Sequence, residues 1–143
     1  MKIAMKTLEL KFERTIPAPQ EEVFDAWLNP ETPGTPWHEH EKLIFDPKVE
    51  ALWYWLVRGK PHYGQFTEVE RPTRIRLTWM SRHTLGEESI LTVTFQKKGK
   101  ETLMNLVHSG IPDTDEGRGH EKGWSHFLDM FAEQCGDASG KKK

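Results

Sequence analysis

Gly123-Trp124-Ser125-His126-Phe127-Leu128-Asp129-Met130-Phe131-Ala132-Glu133-Gln134-Cys135-Gly136 is the stretch at which the chain changes period. Trp124, Phe127, Leu128, Phe131 and Cys135 fall at i, i+3, i+4, i+7 and i+11, the spacing of one helix face. Asp113, Asp115 and Glu116 lie upstream, where the positive end of a helix dipole favours acid. Gly136 sits where helices commonly stop. The spacing therefore predicts a long C-terminal helix with one strongly apolar face, and that face needs a partner surface.

The partner surface lies upstream in the chain. Over residues 6–16, Leu8, Leu10 and Phe12 alternate with Glu9, Lys11 and Glu13, the period of a strand with one buried face. Pro17-Ala18-Pro19 ends that strand. Gln20, Glu21 and Glu22 then open a short helix whose apolar stripe is Val23, Phe24, Trp27 and Leu28, stopped at Asn29-Pro30. Pro33, Gly34 and Pro36 mark a loop ending at Trp37. Extended segments come next, at Leu43 to Phe45, Leu52 to Val57, Tyr63 to Val69, Arg74 to Trp79, Ser89 to Phe95 and Met104 to His108. Turns at 58–61, 71–73 and 98–100 separate several of them. Strand, short helix, about six antiparallel strands and long helix predict an α+β fold, a meander covered on one face by the last helix.

The chain has 143 residues, 29% of them charged, with a formal net charge of −2. A chain of this size buries roughly two-thirds of the surface it exposes when unfolded, enough for a core and a modest cavity. No repeat or linker divides it, so residues 1–136 read as one domain and 137–143 as a flexible basic tail ending in Lys141, Lys142 and Lys143. The charge balance speaks against nucleic-acid binding, which calls for a basic face. The first ten residues carry no apolar run of a signal peptide, and no stretch approaches the ~20 residues of a membrane span. With a single cysteine, Cys135, and hence no internal disulfide, the chain reads as cytoplasmic. Cys135 itself reads as a small packed residue.

Several segments in order resemble a known family. Glu13-Arg14-Thr15-Ile16-Pro17-Ala18-Pro19 with Glu22-Val23-Phe24-Asp25-Ala26-Trp27 is similar to the opening of the SRPBCC (START-like, helix-grip) superfamily. The branch it resembles is named after the C-terminal domain of the activator of the heat-shock-protein-90 ATPase. Asp46-Pro47-Lys48-Val49, Gly64-Gln65-Phe66-Thr67-Glu68-Val69 with Pro72, Leu77-Thr78-Trp79, Leu106-Val107-His108-Ser109-Gly110 and Gly123-Trp124 continue the series. The resemblance implies a helix-grip fold, a bent sheet of about seven strands around the long helix, with a cavity for apolar molecules between them. It also implies a possible chaperone ATPase partner. The activators so named use additional N-terminal sequence that this chain does not show, so the expected stimulation by this domain alone is weak or nil. Some relatives are cyclases or hydroxylase components, and fold does not decide between binding and catalysis. This chain departs from the branch at Glu50-Ala51, where two glycines are usual, and at Trp53-Tyr54-Trp55, which is bulkier and leaves less room for a lipid-sized guest.

Strand parity points Trp53, Trp55 and Trp79 the same way, toward the helix that bears Trp124, Phe127 and Leu128. The expected cavity wall adds Phe66, Leu91, Val93, Met104, Leu106 and His108. Indoles give an apolar wall with a few N–H tips, suited to a small flat apolar or aromatic ligand. A filled core would show the same pattern, and the sequence leaves both readings open. His108 is a polar group at the expected mouth, either a ligand-orienting acid or base or a hydrogen-bonded structural residue. His38-Glu39-His40 puts two imidazoles at strand spacing with no third ligand and reads as a solvated loop, so no metal site is expected. His62, His83, His120 and His126 have no evident partner and read as surface residues. Asp113-Thr114-Asp115-Glu116 reads as a helix cap. No nucleophile elbow, phosphate loop or dinucleotide fingerprint is present, and neither a catalytic set nor a cofactor is called for. The reading is a non-catalytic binding module, with a cavity enzyme as the alternative.

Overall fold

The computed structural model describes residues 6–140. The Lys141–Lys143 cluster lies outside the described residues.

Strand β1 (Thr7–Ile16) leads into helix α1 (Gln20–Trp27), and six strands follow: β2 (Lys42–Ile44), β3 (Leu52–Val57), β4 (Lys60–Glu70), β5 (Arg74–Ser81), β6 (Ser89–Lys98) and β7 (Glu101–Pro112). A short helix α2 (Asp115–Arg118) precedes the long α3 (His120–Gly140). The seven strands form one antiparallel sheet in the order β1-β7-β6-β5-β4-β3-β2. Each pairing after β1 is a hairpin or short connection, which needs no crossover. This is the α+β meander under a final helix that the alternation and the helical period imply, in the helix-grip arrangement that the resemblance implies.

Two bulges bend the sheet. Gly110 is the extra residue of β7 between the pairs Leu8–Ile111 and Glu9–Ser109, and its φ of +77° is one that glycine adopts freely. Thr67 is the extra residue of β4, and its hydroxyl donates to the Arg76 carbonyl at 3.1 Å. On the concave face Trp53, Phe66, Ile75, Leu77, Leu91, Val93, Phe95, Met104 and Leu106 are buried together with Trp124, Leu128, Phe131 and Cys135 of α3. Helix α1 closes the other end: Gln20 donates to the Phe95 carbonyl at 2.8 Å, and Phe24 meets Phe95 edge to face.

Three details differ from the sequence-based expectations. Helix α3 continues through Gly136 to Gly140. A glycine costs a helix only about 1 kcal/mol relative to alanine and does not by itself end one. The acidic cluster caps α2 ahead of the main helix: Thr114 accepts from the Gly117 amide at 2.9 Å, while Asp113 and Asp115 hold Arg118. Trp37, placed only at a loop end by the sequence, is fully buried.

Candidate ligand pocket

Trp37 decides where space remains under the helix. Its loop is brought down by Gly34, whose Cβ, if present, would stand 2.4 Å from the Phe131 amide nitrogen, so the loop backbone lies directly on α3. The Trp37 indole donates to the Trp27 carbonyl at 3.0 Å and packs at 4.6 Å on Phe45 and 5.6 Å on Trp53. That end of the expected cavity is therefore solid. Trp53, Phe66, Leu91, Val93, Met104, Leu106 and Leu128 belong to this packed core and do not line the space that remains under the helix.

At the other end a half-open pocket of about 470 Å³ remains between β3, β4, β5, the 34–39 loop and the start of α3. Of the residues expected at the site, the structure brings Trp55, Trp79, Trp124 and Phe127 together on its wall. Trp79 contacts Trp124 at 5.3 Å and Trp55 at 6.0 Å, and Phe127 meets both Trp55 and Trp124. Arg58, Lys60, Glu39 and Glu116 stand among the lining residues as the charged ones.

His108 lies behind that wall. Its Nδ1 accepts from the Trp124 indole N–H at 3.0 Å, so the ring proton sits on Nε2, which donates to Ser89 Oγ at 2.8 Å. Ser89 passes its own hydrogen to the Trp79 carbonyl at 2.6 Å. Both ring nitrogens are thus engaged, and burial holds His108 well below the ordinary imidazole value. The residue ties β6 and β7 to α3 and does not line the pocket.

Sequence reasoning placed His62, His83 and His120 on the surface, and the structure corrects this. His62 is buried, tilted against Trp55 at 4.5 Å and stacked nearly parallel to His83 at 6.2 Å. His120 stands edge-on to His83 at 6.2 Å and to His108 at 5.1 Å. His62 shares strand parity with Phe66, and His120 precedes Trp124 by one helical turn, so both positions carried a legible signal. His83 sits on a single 3-10 turn, Arg82–Thr84, where no period exists to read. His126 is exposed at the pocket rim, as expected.

These imidazoles are neutral at pH 7. Burial first, then the neighbouring His83 and His120 charges, bring His62 to about 4 against the carbonyls of Trp55 and Lys60. Burial also lowers His120, and burial with Lys60 and Arg82 lowers His83. His120 Nδ1 lies 2.9 Å from the Gly117 carbonyl and must donate to it, which leaves the lone pair on Nε2. Among the described residues no three histidine, cysteine or acidic side chains converge on a metal position. His38 and His40 bond instead to the carbonyls of Pro30 and Trp37.

One donor on the wall is unmatched. Trp37, Trp53, Trp55 and Trp124 each give their indole N–H to an acceptor, whereas buried Trp79 Nε1 has none among the described residues. Such an orphan donor costs about 1–3 kcal/mol. Cys135, buried on α3, has its thiol raised to about 11 by burial and by Glu22, so no thiolate forms at neutral pH.

Comparison with known families places residues 17–136 within the family described as Activator of Hsp90 ATPase homolog 1-like protein. The chain belongs to this family. Among solved structures it is similar to protein MLL2253 from Mesorhizobium loti, with 20% identity and a TM-score of 0.76 over 94% of this chain and 100% of that one. Protein CV1439 from Chromobacterium violaceum shares 23% identity and a TM-score of 0.71, covering 87% and 94%. An HSP90 activator from Plasmodium falciparum shares 24% identity and a TM-score of 0.71, covering 88% and 92%. At these identities the likeness carries the fold. A comparison with curated protein sequences finds no match. Among the described residues of this Hsp90-activator-like chain, no helix is long and apolar enough to cross a membrane.

Proposed function

We propose that this chain is a non-catalytic binding protein for a small, flat, largely apolar molecule held against Trp55, Trp79, Trp124 and Phe127. The observation that carries this reading is the pocket of about 470 Å³ beside a core that is otherwise filled. Its size lies in the usual range for small-molecule sites, and its aromatic wall presents faces to a planar guest. Neutral His62 and His120 stand beside that wall, while the charged lining residues are Glu39, Arg58, Lys60 and Glu116. At about 25 cal/mol per Å² of buried apolar surface, a bicyclic aromatic reaches micromolar affinity, about −8 kcal/mol, when largely enclosed.

A panel of planar aromatics and fatty acids, titrated against tryptophan emission and melting temperature, tests the reading. Aromatic probes should quench or shift the emission and raise the melting temperature by linkage. Trp55→Ala should weaken that binding about tenfold or more. A panel that leaves both signals untouched would dispose of the proposal.

Association with a chaperone ATPase is a second reading, favoured by the family and by exposed apolar residues on the convex face. Ile44, Leu52 and Tyr63 are 53%, 71% and 40% exposed there. A saturable change in ATP turnover by an Hsp90 on adding the chain, lost in Leu52→Lys, would support it. An unchanged turnover would remove it.

A further inference from the structure

We propose that strand β1 is a pairing edge through which two copies of this chain join antiparallel, about a two-fold axis at Leu10, so that their sheets become one continuous sheet. The partner is a second copy of the chain, and the inference does not depend on what the pocket holds.

The sheet has two edges of unlike length. At one end β2 covers three residues, a short edge that offers little to pair with, while at the other β1 runs for ten. The bonds of β1 to β7 fix which way its backbone groups point. The Lys6 carbonyl accepts from the Asp113 amide at 3.0 Å, and Thr7 stands opposite Pro112, which has no N–H to give. Residues of even number therefore bond to β7, and Thr7, Glu9, Lys11 and Glu13 turn their N–H and C=O groups to the open edge. Among the described residues only the Arg14 guanidinium reaches that edge, donating to the Glu13 carbonyl at 3.0 Å. Leu8 and Leu10, of the same parity as Phe12, are half-buried yet stand outside the core cluster, so their apolar area is only partly covered.

Charge selects the partner and the register. Charges along a strand edge ordinarily keep another strand away. With the axis at Leu10, however, Glu9 stands opposite Lys11 of the second copy and Lys11 opposite its Glu9, each a pair that exchanges two backbone hydrogen bonds. On the concave side Leu8 meets the other Phe12, and Leu10 meets its own counterpart. Opposite charges and apolar side chains placed face to face across strands both favour pairing. Moving the axis to Lys11 sets Lys11 on Lys11 and Glu9 on Glu13, and moving it to Glu9 sets Glu9 on Glu9. Like charges oppose both of those registers. An axis at Phe12 keeps Lys11 on Glu13 but puts Leu10 against Arg14. In the favoured register Lys6 comes opposite Arg14, whose charge Asp129 already meets at 2.9 Å. Glu9 and Lys11 are 53% and 71% exposed and 3.7 Å apart within their own strand, beyond hydrogen-bond distance, so both are free to turn to the partner.

Sedimentation velocity over about a hundredfold range of protein concentration tests this, because a single pair of strands makes a small interface and the dimer should dissociate on dilution. Glu9→Lys and Lys11→Glu change exposed side chains and should leave the melting temperature of the dilute chain within about 2 °C. Each variant alone should be monomeric, since it sets like charges face to face. An equimolar mixture of the two should dimerise again, because opposite charges then meet in both central pairs. Hydrogen exchange locates the contact: the Glu9 and Lys11 amides should be protected in concentrated protein and unprotected in dilute. A natural chain that stays monomeric throughout, single variants that still dimerise, a mixture that does not, or Glu9 and Lys11 amides that exchange equally fast at both concentrations would each overturn the inference.

Discussion

Glu50 occupies one of the two positions where glycines are usual in this branch, and its backbone shows why glycine suits it: φ is +76°, in the left-handed region. The amide still reaches the Phe66 carbonyl at 2.7 Å, so the turn is kept and strain is carried by a residue with a Cβ. Glu50→Gly should therefore stabilise the fold by about 0.5–1 kcal/mol, raising the melting temperature by about 2–4 °C. An unchanged or lower melting temperature would show the strain to be absorbed elsewhere. His62 acts at the same scale in the opposite sense. The unfolded chain takes up a proton on this imidazole near 6.5, the folded chain only near 4, so acid favours unfolding. The stability present at neutral pH is lost as pH falls from about 6.5 to about 4, by about 2–3 kcal/mol from this group. His83, His108 and His120 add to it with the same sign. In denaturant melts across that window, His62→Gln should flatten the slope; an identical slope would mean that His62 is not the group that titrates.

Among the elements, α3 carries the most. Trp124 gives it apolar area and, through its indole N–H, a hydrogen bond that ties the helix to His108. Trp124→Ala should cost about 3–5 kcal/mol. Trp124→Phe keeps much of the area but strands the buried His108 nitrogen, and should cost about 1–3 kcal/mol. Equal losses in the two variants, read from chemical denaturation, would assign the whole effect to packing. The face of α3 and the parity of β3 and β5 were legible in the sequence, because a repeating pattern spread over several turns or pleats leaves little choice of inside and outside. The 28–41 segment was not. A loop has no period, and the burial of Trp37 is fixed by the approach of Gly34 to the Phe131 backbone, a contact that no local pattern encodes. Helix length escaped for a related reason: Gly136 is a permissive stop, and the residues beyond it decide whether it is used.

For the whole molecule, the order of the elements and the resemblance together delivered the sheet, its seven strands and the helix across it. They could not say how much of the space beneath the helix is empty. One indole arriving from a loop fills part of that space; seven expected wall residues lie in solid core and four stand at the pocket. The same indole joins the tryptophans into a single chain of contacts: Trp27 to Trp37 at 5.4 Å, Trp37 to Trp53, Trp55 and Trp79, and Trp79 to Trp124. All six tryptophans of the sequence are in it. Chromophores this close do not emit independently. Excitation absorbed by Trp27 beneath α1 can migrate through Trp37 to the indoles at the pocket, where a bound aromatic would drain it, so the protein reports occupancy with light gathered from residues that the guest never touches.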